Sequence, residues 1–306
     1  MPMTTSVSSV ARALRFASYL PALVGCALLG TMPGCATYKK ISPYPGGAPV
    51  EVSIGKRRLS DTNEMPAGAY YDEPHQIIVT GYQKGIITGA ALFGVVGAMV
   101  AHGVNKSAGA ARYSANAAQM GASLAVLMRE ALAEQLSGGA FPSIKSLVAD
   151  GGELEITPYA LFSIQKNGKA RLHAMVAAEL RGKSGQEPRW SVRYFARAPG
   201  EYTVEGTDSW AAEGRYTEGM KAALKRVTAV ILSDLQGTLT EKRKVKAQGK
   251  YPFFDTNIEL PVIVLSESDS EIVGRLAVPD AQMLGGTHIL EKADYTIKAA
   301  EFKSPK

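Results

Sequence analysis

The chain has 306 residues and a formal charge of +6, with 46% hydrophobic and 20% charged residues. This length and balance predict a globular protein with a sizeable core and exclude wholesale disorder. The basic excess is mild, too weak to argue for nucleic acid without a concentrated basic stripe, so we expect no nucleic-acid partner.

A secretion leader is the first predicted element. Arg12 and Arg15 precede an apolar run over residues 16–29, which is too short for a comfortable membrane span of ~20 residues. Gly34 and Cys35 follow, and after them the chain becomes polar at once. This order of basic, apolar and small residues predicts a signal peptide over residues 1–35.

The end of the leader resembles the cleavage site of bacterial lipoproteins. Met32-Pro33-Gly34-Cys35 departs from that family's motif at two positions, whereas Leu23-Val24-Gly25-Cys26 fits it better. We favour Cys35 as the lipid-attachment residue, because cleavage at Cys26 would leave the apolar Ala27-Leu28-Leu29 at the head of a tether that should be water-soluble. Cys26 is the alternative.

The resemblance to lipoproteins implies acyl chains such as palmitate on the cysteine, and hence a lipid bilayer as the first partner. Because Ala36 rather than aspartate follows Cys35, it also implies the outer membrane, with the protein facing the periplasm. Both cysteines of the chain lie in the leader region, so the mature chain has no disulfide and no thiolate metal ligand.

A tether and two short strands are predicted next. Residues 36–49 are rich in proline and glycine, which is typical of a flexible, extended tether. Period-two alternation predicts a strand over residues 50–54, and a second short strand is predicted over residues 77–79. Together with the apolar segment that follows, these strands make up a predicted part over residues 50–110.

That apolar segment covers residues 85–101 and carries no charge. Small residues recur at helical spacing, which lets another backbone approach closely, and the segment resembles the glycine-zipper segments of several outer-membrane lipoproteins. Membrane contact or self-association is one interpretation, and a buried core helix or a pair of strands is the other. The glycines that carry the first interpretation are Gly85, Gly89, Gly94 and Gly97.

A central α/β unit is predicted over residues 111–245. Amphipathic helices are predicted over residues 116–136 and 216–239. Between them, alternation predicts a three-stranded meander over residues 154–164, 172–180 and 190–196, with a short strand over 144–148 before it. Asn167-Gly168 predicts a hairpin with a type I′ turn. The predicted fold class is therefore α+β, an antiparallel meander sheet covered on one face by two amphipathic helices, with a small β subdomain and a Gly-rich apolar helix.

The order helix, meander, helix over residues 112–240 resembles the periplasmic modules of the curli-secretion lipoprotein and of auxiliary lipoproteins of ABC-type transport systems. The resemblance is one of architecture, without a diagnostic residue motif. It implies a binding or assembly role rather than chemistry.

The C-terminal part, residues 250–306, is predicted to be β-rich. Short strands are predicted over residues 258–265, 272–278 and 295–299, and we expect them to pack with the strands at 50–54 and 77–79 as the small β subdomain. The basic run over residues 241–250 is interpreted as a solvated helix end leading into a linker, or as a contact with anionic headgroups.

No catalytic or metal-binding motif is predicted. Gly182-Lys183-Ser184 matches a loose phosphate-loop pattern, but it lies in a predicted turn between strands, whereas the mechanism needs a loop that opens into a helix. His75 follows two acidic residues without a second histidine at ligand spacing. His173 is expected on the wetter face of the meander, and we expect His102 and His288 to be structural or exposed.

These observations predict a lipid-anchored, non-catalytic accessory or assembly module of envelope transport or maintenance, without a cofactor. A second copy of the chain or another envelope protein is the expected partner. One alternative is an oligomer that perturbs or spans the membrane through residues 85–101. The other is a metal-dependent or hydrolytic periplasmic enzyme that uses His75.

Overall fold

The computed structural model describes residues 41–60, 64–66, 68–80, single positions between 107 and 120, and residues 123–181, 188–204, 206–276 and 282–299. These residues belong to one compact unit, Tyr38–Lys306. The predicted signal peptide and the apolar segment 85–101 lie outside the described residues.

Two α-helices and thirteen strands have both ends within the described residues. The helices are α1 (Leu124–Ser137) and α2 (Arg215–Leu235). The strands are β1 (Val50–Ile54), β2 (Tyr70–Asp72), β3 (Ile77–Thr80), β4 (Ile144–Leu147), β5 (Leu154–Ile164), β6 (Lys169–Leu180), β7 (Trp190–Arg197), β8 (Tyr202–Thr203), β9 (Arg243–Gly249), β10 (Ile258–Glu267), β11 (Glu271–Leu276), β12 (Gly286–Glu291) and β13 (Thr296–Ala299). The predicted α+β class is confirmed.

The antiparallel meander β5–β6–β7 forms the centre of the sheet. Its register aligns Leu154 with Leu180, and Leu180 with Trp190. The predicted hairpin between β5 and β6 is present, but the predicted type I′ turn is wrong. Only Gly168 has a positive φ there (81°), and its amide donates to the carbonyl of Gln165 at 3.0 Å. The loop is therefore a β-turn followed by a left-handed glycine.

Both helices cover one face of the meander, as predicted. The face consists of the even-numbered residues of β5, β6 and β7, and these pack with the buried residues of α1 and α2 in one core. In α2 the apolar residues recur at helical spacing, from Met220 to Leu235, so one stripe of the helix is buried. Phe162 stacks on Tyr216 at 6.0 Å between ring centroids, which joins the sheet to the start of α2.

The sheet is mixed rather than purely antiparallel. β1 and β3 both pair in parallel with β5, with Ile54 beside Ile156 and Ile77 beside Ala160. Pro158 lies between these two paired stretches, a position where the missing amide hydrogen of proline costs no ladder bond to β1 or β3. The short strand β4 pairs with the outer edge of β1.

The C-terminal strands are expected to pack with β1 and β3 as a separate small subdomain. The separate subdomain is wrong, although Ile78 of β3 does share a core with these strands. Strand β12 instead pairs in parallel with β7, and β11, β10, β9 and β13 follow in that order. The predicted small β subdomain is therefore the continuation of the central sheet. Strands β9 and β12 were not predicted, and the basic run proved to contain β9 rather than a helix end, with Val245 and Ala247 buried between the exposed residues Lys244, Lys246 and Gln248.

A second core lies on the other face of the meander. This core contains side chains from three parts of the sheet: Met175 and Phe195 from the meander, Ile78 from β3, and Val245 and Val262 from the C-terminal strands. The continued sheet thus covers the face that the sequence predicted to be wetter. His173 belongs to this face and is only 4% exposed, so its predicted position on a wet surface is wrong.

Candidate functional site

Most of the predicted site residues lie outside the described residues. Their roles in lipid attachment and self-association stay predictions. These residues are Cys35, the alternative Cys26, Gly85, Gly89, Gly94 and Gly97. His102 and Gly182-Lys183-Ser184 also lie outside the described residues; the described strands before and after the latter are β6 and β7.

His75 is placed by the structure beside one carboxylate. Its Nδ1 lies 2.8 Å from Oδ2 of Asp72, and the imidazole is 57% exposed. In the part of the chain that is described, no group of three or more histidine, cysteine, aspartate or glutamate residues is arranged to hold a metal ion. The pair of His75 and Asp72 is an exposed contact near a turn.

The segment just after the predicted anchor packs on the sheet and helices described above, which we call the body. The indole Nε1 of Trp190 donates to the carbonyl of Ser42 at 3.0 Å, and the Tyr44 ring packs edge-on against Trp190 at 5.3 Å. Ile41 and Tyr44 both pack against the core between the meander and the two helices, which we call the helix-side core. The prediction of a flexible tether over residues 36–49 is thus wrong for residues 41–44.

Two charged residues, Glu153 and Arg189, lie close enough to Tyr44 at this end of the sheet to act on its hydroxyl group. Burial raises the pKa of Tyr44, the charge of Arg189 opposes that change, and the charge of Glu153 adds to it. Both charged residues are exposed, and they flank β5 and β7 at the end where Leu154, Leu180 and Trp190 lie side by side. Residues 41–44 therefore lie next to exposed charged side chains at this end of the sheet.

A polar cluster lies between the meander and the C-terminal strands. Arg171 and Arg197, on β6 and β7, both form ion pairs with Glu201 and with Asp294. The Arg197–Glu201 and Arg171–Asp294 pairs measure 3.4 Å and 3.8 Å. Two guanidinium groups meet two carboxylates, so the cluster is balanced in charge. It joins the meander to the turn before β13 rather than leaving a charge available for a ligand.

Two buried histidines border this cluster. His288 stacks on Phe195 at 4.3 Å, and its Nε2 lies 2.9 Å from the carbonyl oxygen of Leu284, to which it donates. Burial lowers the pKa of His288 to about 4. The pKa of His173 falls to about 3, because burial and the charges of Arg197 and Arg171 disfavour the imidazolium. Both imidazoles are therefore neutral at pH 7.

The cavity beside these histidines is too small for an organic substrate. Its volume is about 10 Å³, close to what a single water molecule needs. His173, Phe195, Arg197, Pro252, His288 and Tyr295 line it. Nδ1 of His173 has no hydrogen-bond partner among the described residues. A general base must lie within hydrogen-bond distance of the group from which it takes a proton, and this cavity has no room for a substrate that would carry such a group.

A second ion-pair cluster fixes the loop before β2 to the meander. Glu64 accepts from Arg57 at 2.5 Å and 3.1 Å, from Arg193 at 2.5 Å, and from the amide of Ser60 at 2.8 Å. Burial alone would raise the pKa of Glu64, but the hydrogen bonds from Arg57 and Ser60 and the charges of the two arginines lower it. Every oxygen of this carboxylate is occupied by the protein itself.

None of the helices in the described part of the chain combines the length and apolar character that a membrane crossing requires.

The chain matches no known protein family and no curated protein sequence. A structural comparison finds similarity to a crystal structure described as "a putative lipoprotein from Caulobacter crescentus CB15". That similarity covers 37% of this chain and 81% of the other, with 14% sequence identity and a TM-score of 0.25.

Proposed function

We propose that this protein is a lipid-anchored protein of the bacterial cell envelope that acts as a non-catalytic accessory or assembly module. The observation that carries the proposal is the stretch from Leu28 to Lys40, in which an apolar run ends at a small residue and Cys35 and is followed at once by polar residues. The anchoring chemistry is simple. Each buried methylene contributes ~0.8 kcal/mol, so two or more acyl chains hold a protein stably on a bilayer.

The interior of the body supports a binding or assembly role over an enzymatic one. The polar clusters at Asp294 and Glu64 are internally paired, and the cavity beside His173 holds about 10 Å³. An enzyme site needs a concave pocket that receives its substrate. In these two clusters the polar side chains attach loops to the meander, which is consistent with a scaffold for contacts with a partner.

Metabolic labelling tests the proposal. The full chain is produced in a Gram-negative host supplied with labelled palmitate, beside the variants Cys35→Ala and Cys26→Ala. We expect label in the native chain and in Cys26→Ala, and none in Cys35→Ala, which should leave the outer-membrane fraction. Loss of label in Cys26→Ala alone would move the anchor to that residue, and label in no variant would overturn the proposal.

A further inference from the structure

The short stretch of chain between the predicted anchor and the docked segment limits how the body can sit on a membrane. Residues 36–40 separate Cys35 from Ile41, whose side chain packs on the helix-side core. At ~3.3–3.6 Å per residue, a fully extended chain from Cys35 to Ile41 reaches ~20 Å. The point on the body where Ile41 docks therefore cannot lie farther than this from the lipid-bearing residue.

The docking point lies at one end of the central sheet. The Ser42 carbonyl is bound by Trp190, which the register places beside Leu180 and, through it, Leu154. The opposite end of the meander is the turn between β5 and β6. Ser163 lies near that turn, and at ~3.3 Å per residue the separation from Leu154 along β5 is ~30 Å. The two ends are thus farther apart than the tether is long.

We propose that the end of the sheet carrying Glu153, Arg189 and the docked Ser42 faces the bilayer that holds the acylated Cys35, and that the β5–β6 turn points away from it. This proposal rests on the proposed function, since it takes Cys35 as the lipid-bearing residue. The partner of this end is the lipid surface of the anchoring leaflet. Anchoring at Cys26 instead would lengthen the reach to ~50 Å, and the restriction on orientation would be lost.

The residues that flank the apolar glycine segment lie toward the other end. Thr80 pairs with Ser163 in the register of β3 and β5, and Tyr113 packs on Tyr70 at 6.0 Å between ring centroids. Tyr70 itself pairs with Val79. Thr80, the last described residue before this segment, and Tyr113 after it thus both lie in the half of the sheet that the proposal turns away from the anchoring bilayer.

Energy transfer to a lipid acceptor measures the orientation. Since Cys26 lies in the leader and Cys35 carries lipid, an added cysteine is the single free thiol of the mature chain. Glu153→Cys labels the end near Trp190, and Lys166→Cys labels the β5–β6 turn; both native side chains are exposed. Arg189→Cys and Lys169→Cys are second positions at the same two ends. Each acylated full chain is labelled with a donor and placed in vesicles of phosphatidylethanolamine and phosphatidylglycerol that contain a headgroup-labelled acceptor.

We expect severalfold more efficient transfer from Glu153→Cys than from Lys166→Cys. Insertion of ~20 Gly and Ser residues between Ala36 and Thr37, a coil of ~25 Å, should remove the difference. Equal transfer from the two positions in the acylated native-length chain, or stronger transfer from Lys166→Cys, would overturn the orientation while leaving the anchor intact. A chain that carries no palmitate and stays off the vesicles would overturn the proposed function, and the orientation with it.

Discussion

Arg275 on β11 donates from Nη2 to Oδ1 of Asp234 on α2 at 2.8 Å, and the two side chains are 7% and 2% exposed. The second oxygen of Asp234 accepts from the hydroxyl of Tyr194 on β7 at 2.7 Å. A helix of the central unit, the meander and a C-terminal strand therefore share one buried carboxylate. This contact explains why residues that the sequence assigned to separate parts of the chain belong to one unit.

Breaking this contact should destabilise the whole body. Arg275→Met leaves a buried carboxylate without its cationic partner, and loss of one member of a buried pair costs about 3–5 kcal/mol. We expect a loss of that size in the free energy of unfolding, measured by urea titration. Lys298→Met, which removes an exposed ion pair with Glu259, is the control and should cost less than about 1 kcal/mol. Equal effects of the two substitutions would contradict a stabilising role for the buried pair.

The parallel pairing of β1 with β5 makes Gly152 intolerant of a side chain. A Cβ built at Gly152 would lie 2.6 Å from the amide nitrogen of Ser53 and 2.7 Å from the carbonyl oxygen of Glu51. Because backbone cannot yield as a side chain does, we expect Gly152→Ala to cost about 1–3 kcal/mol or more. The measurement is the urea midpoint.

Gly138→Ala is the matched control for this substitution. Gly138 has a right-handed helical backbone, and a Cβ there would meet only ordinary contacts, the nearest at 3.6 Å. We expect this variant to be as stable as the native chain. If both variants kept native stability, β1 would not approach Gly152 as closely as described.

The buried histidines should make the protein less stable in mild acid. The pKa values of His173 and His288 fall to about 3 and about 4 in the folded state, below the ordinary histidine value of about 6.5. At pH values between the folded-state and the unfolded-state pKa, the unfolded chain binds more protons than the folded chain. The contribution of the two neutral histidines to the free energy of unfolding is therefore complete above pH 6.5 and declines as the pH falls. The loss is on the order of 2 kcal/mol per histidine at pH 5.

Urea unfolding at pH 7.5 and pH 5 measures this effect. His173→Gln removes one titrating group and should reduce the difference in the free energy of unfolding between the two pH values. A native chain that is equally stable at both pH values would show that the two histidines are not buried in neutral form.

The predicted self-association through residues 85–101 has its own test. Small residues at helical spacing permit close approach of a second backbone, and a bulky side chain prevents it. If the segment mediates association, Gly89→Leu and Gly94→Leu should lower the particle mass measured by light scattering in detergent, while Val96→Leu should not. A native chain that is monomeric in detergent would contradict the prediction.

Local patterns in the sequence identified the three meander strands and the second helix of the central unit, whereas the first helix begins at Leu124 rather than at residue 116. Alternation in β5–β7 and the helical spacing from Met220 to Leu235 identify these elements, because each buries one face. Pairing between distant strands could not be read in this way. Alternation specifies which side chains share a face but not which strand edge they join, so the parallel contact of β12 with β7 was missed.

The buried cluster was missed for a related reason. Arg171 and His173 alternate with apolar residues, which is also the pattern of a solvated face. The apolar residues of the C-terminal strands were the available signal, since Val245, Val262 and Val264 need a surface to bury them. The signal in β9 was weaker, because its lysines dominate the pattern.

Mass spectrometry of the mature N-terminus tests the central claim most directly. The protein is purified from membranes of producing cells, digested with trypsin, and its N-terminal peptide is sequenced. The account predicts a peptide that begins at Cys35, with acyl chains on that residue and Ala36-Thr37-Tyr38-Lys39 after it. An N-terminus at Cys26, or a mature chain in which Cys35 is unmodified, would contradict it.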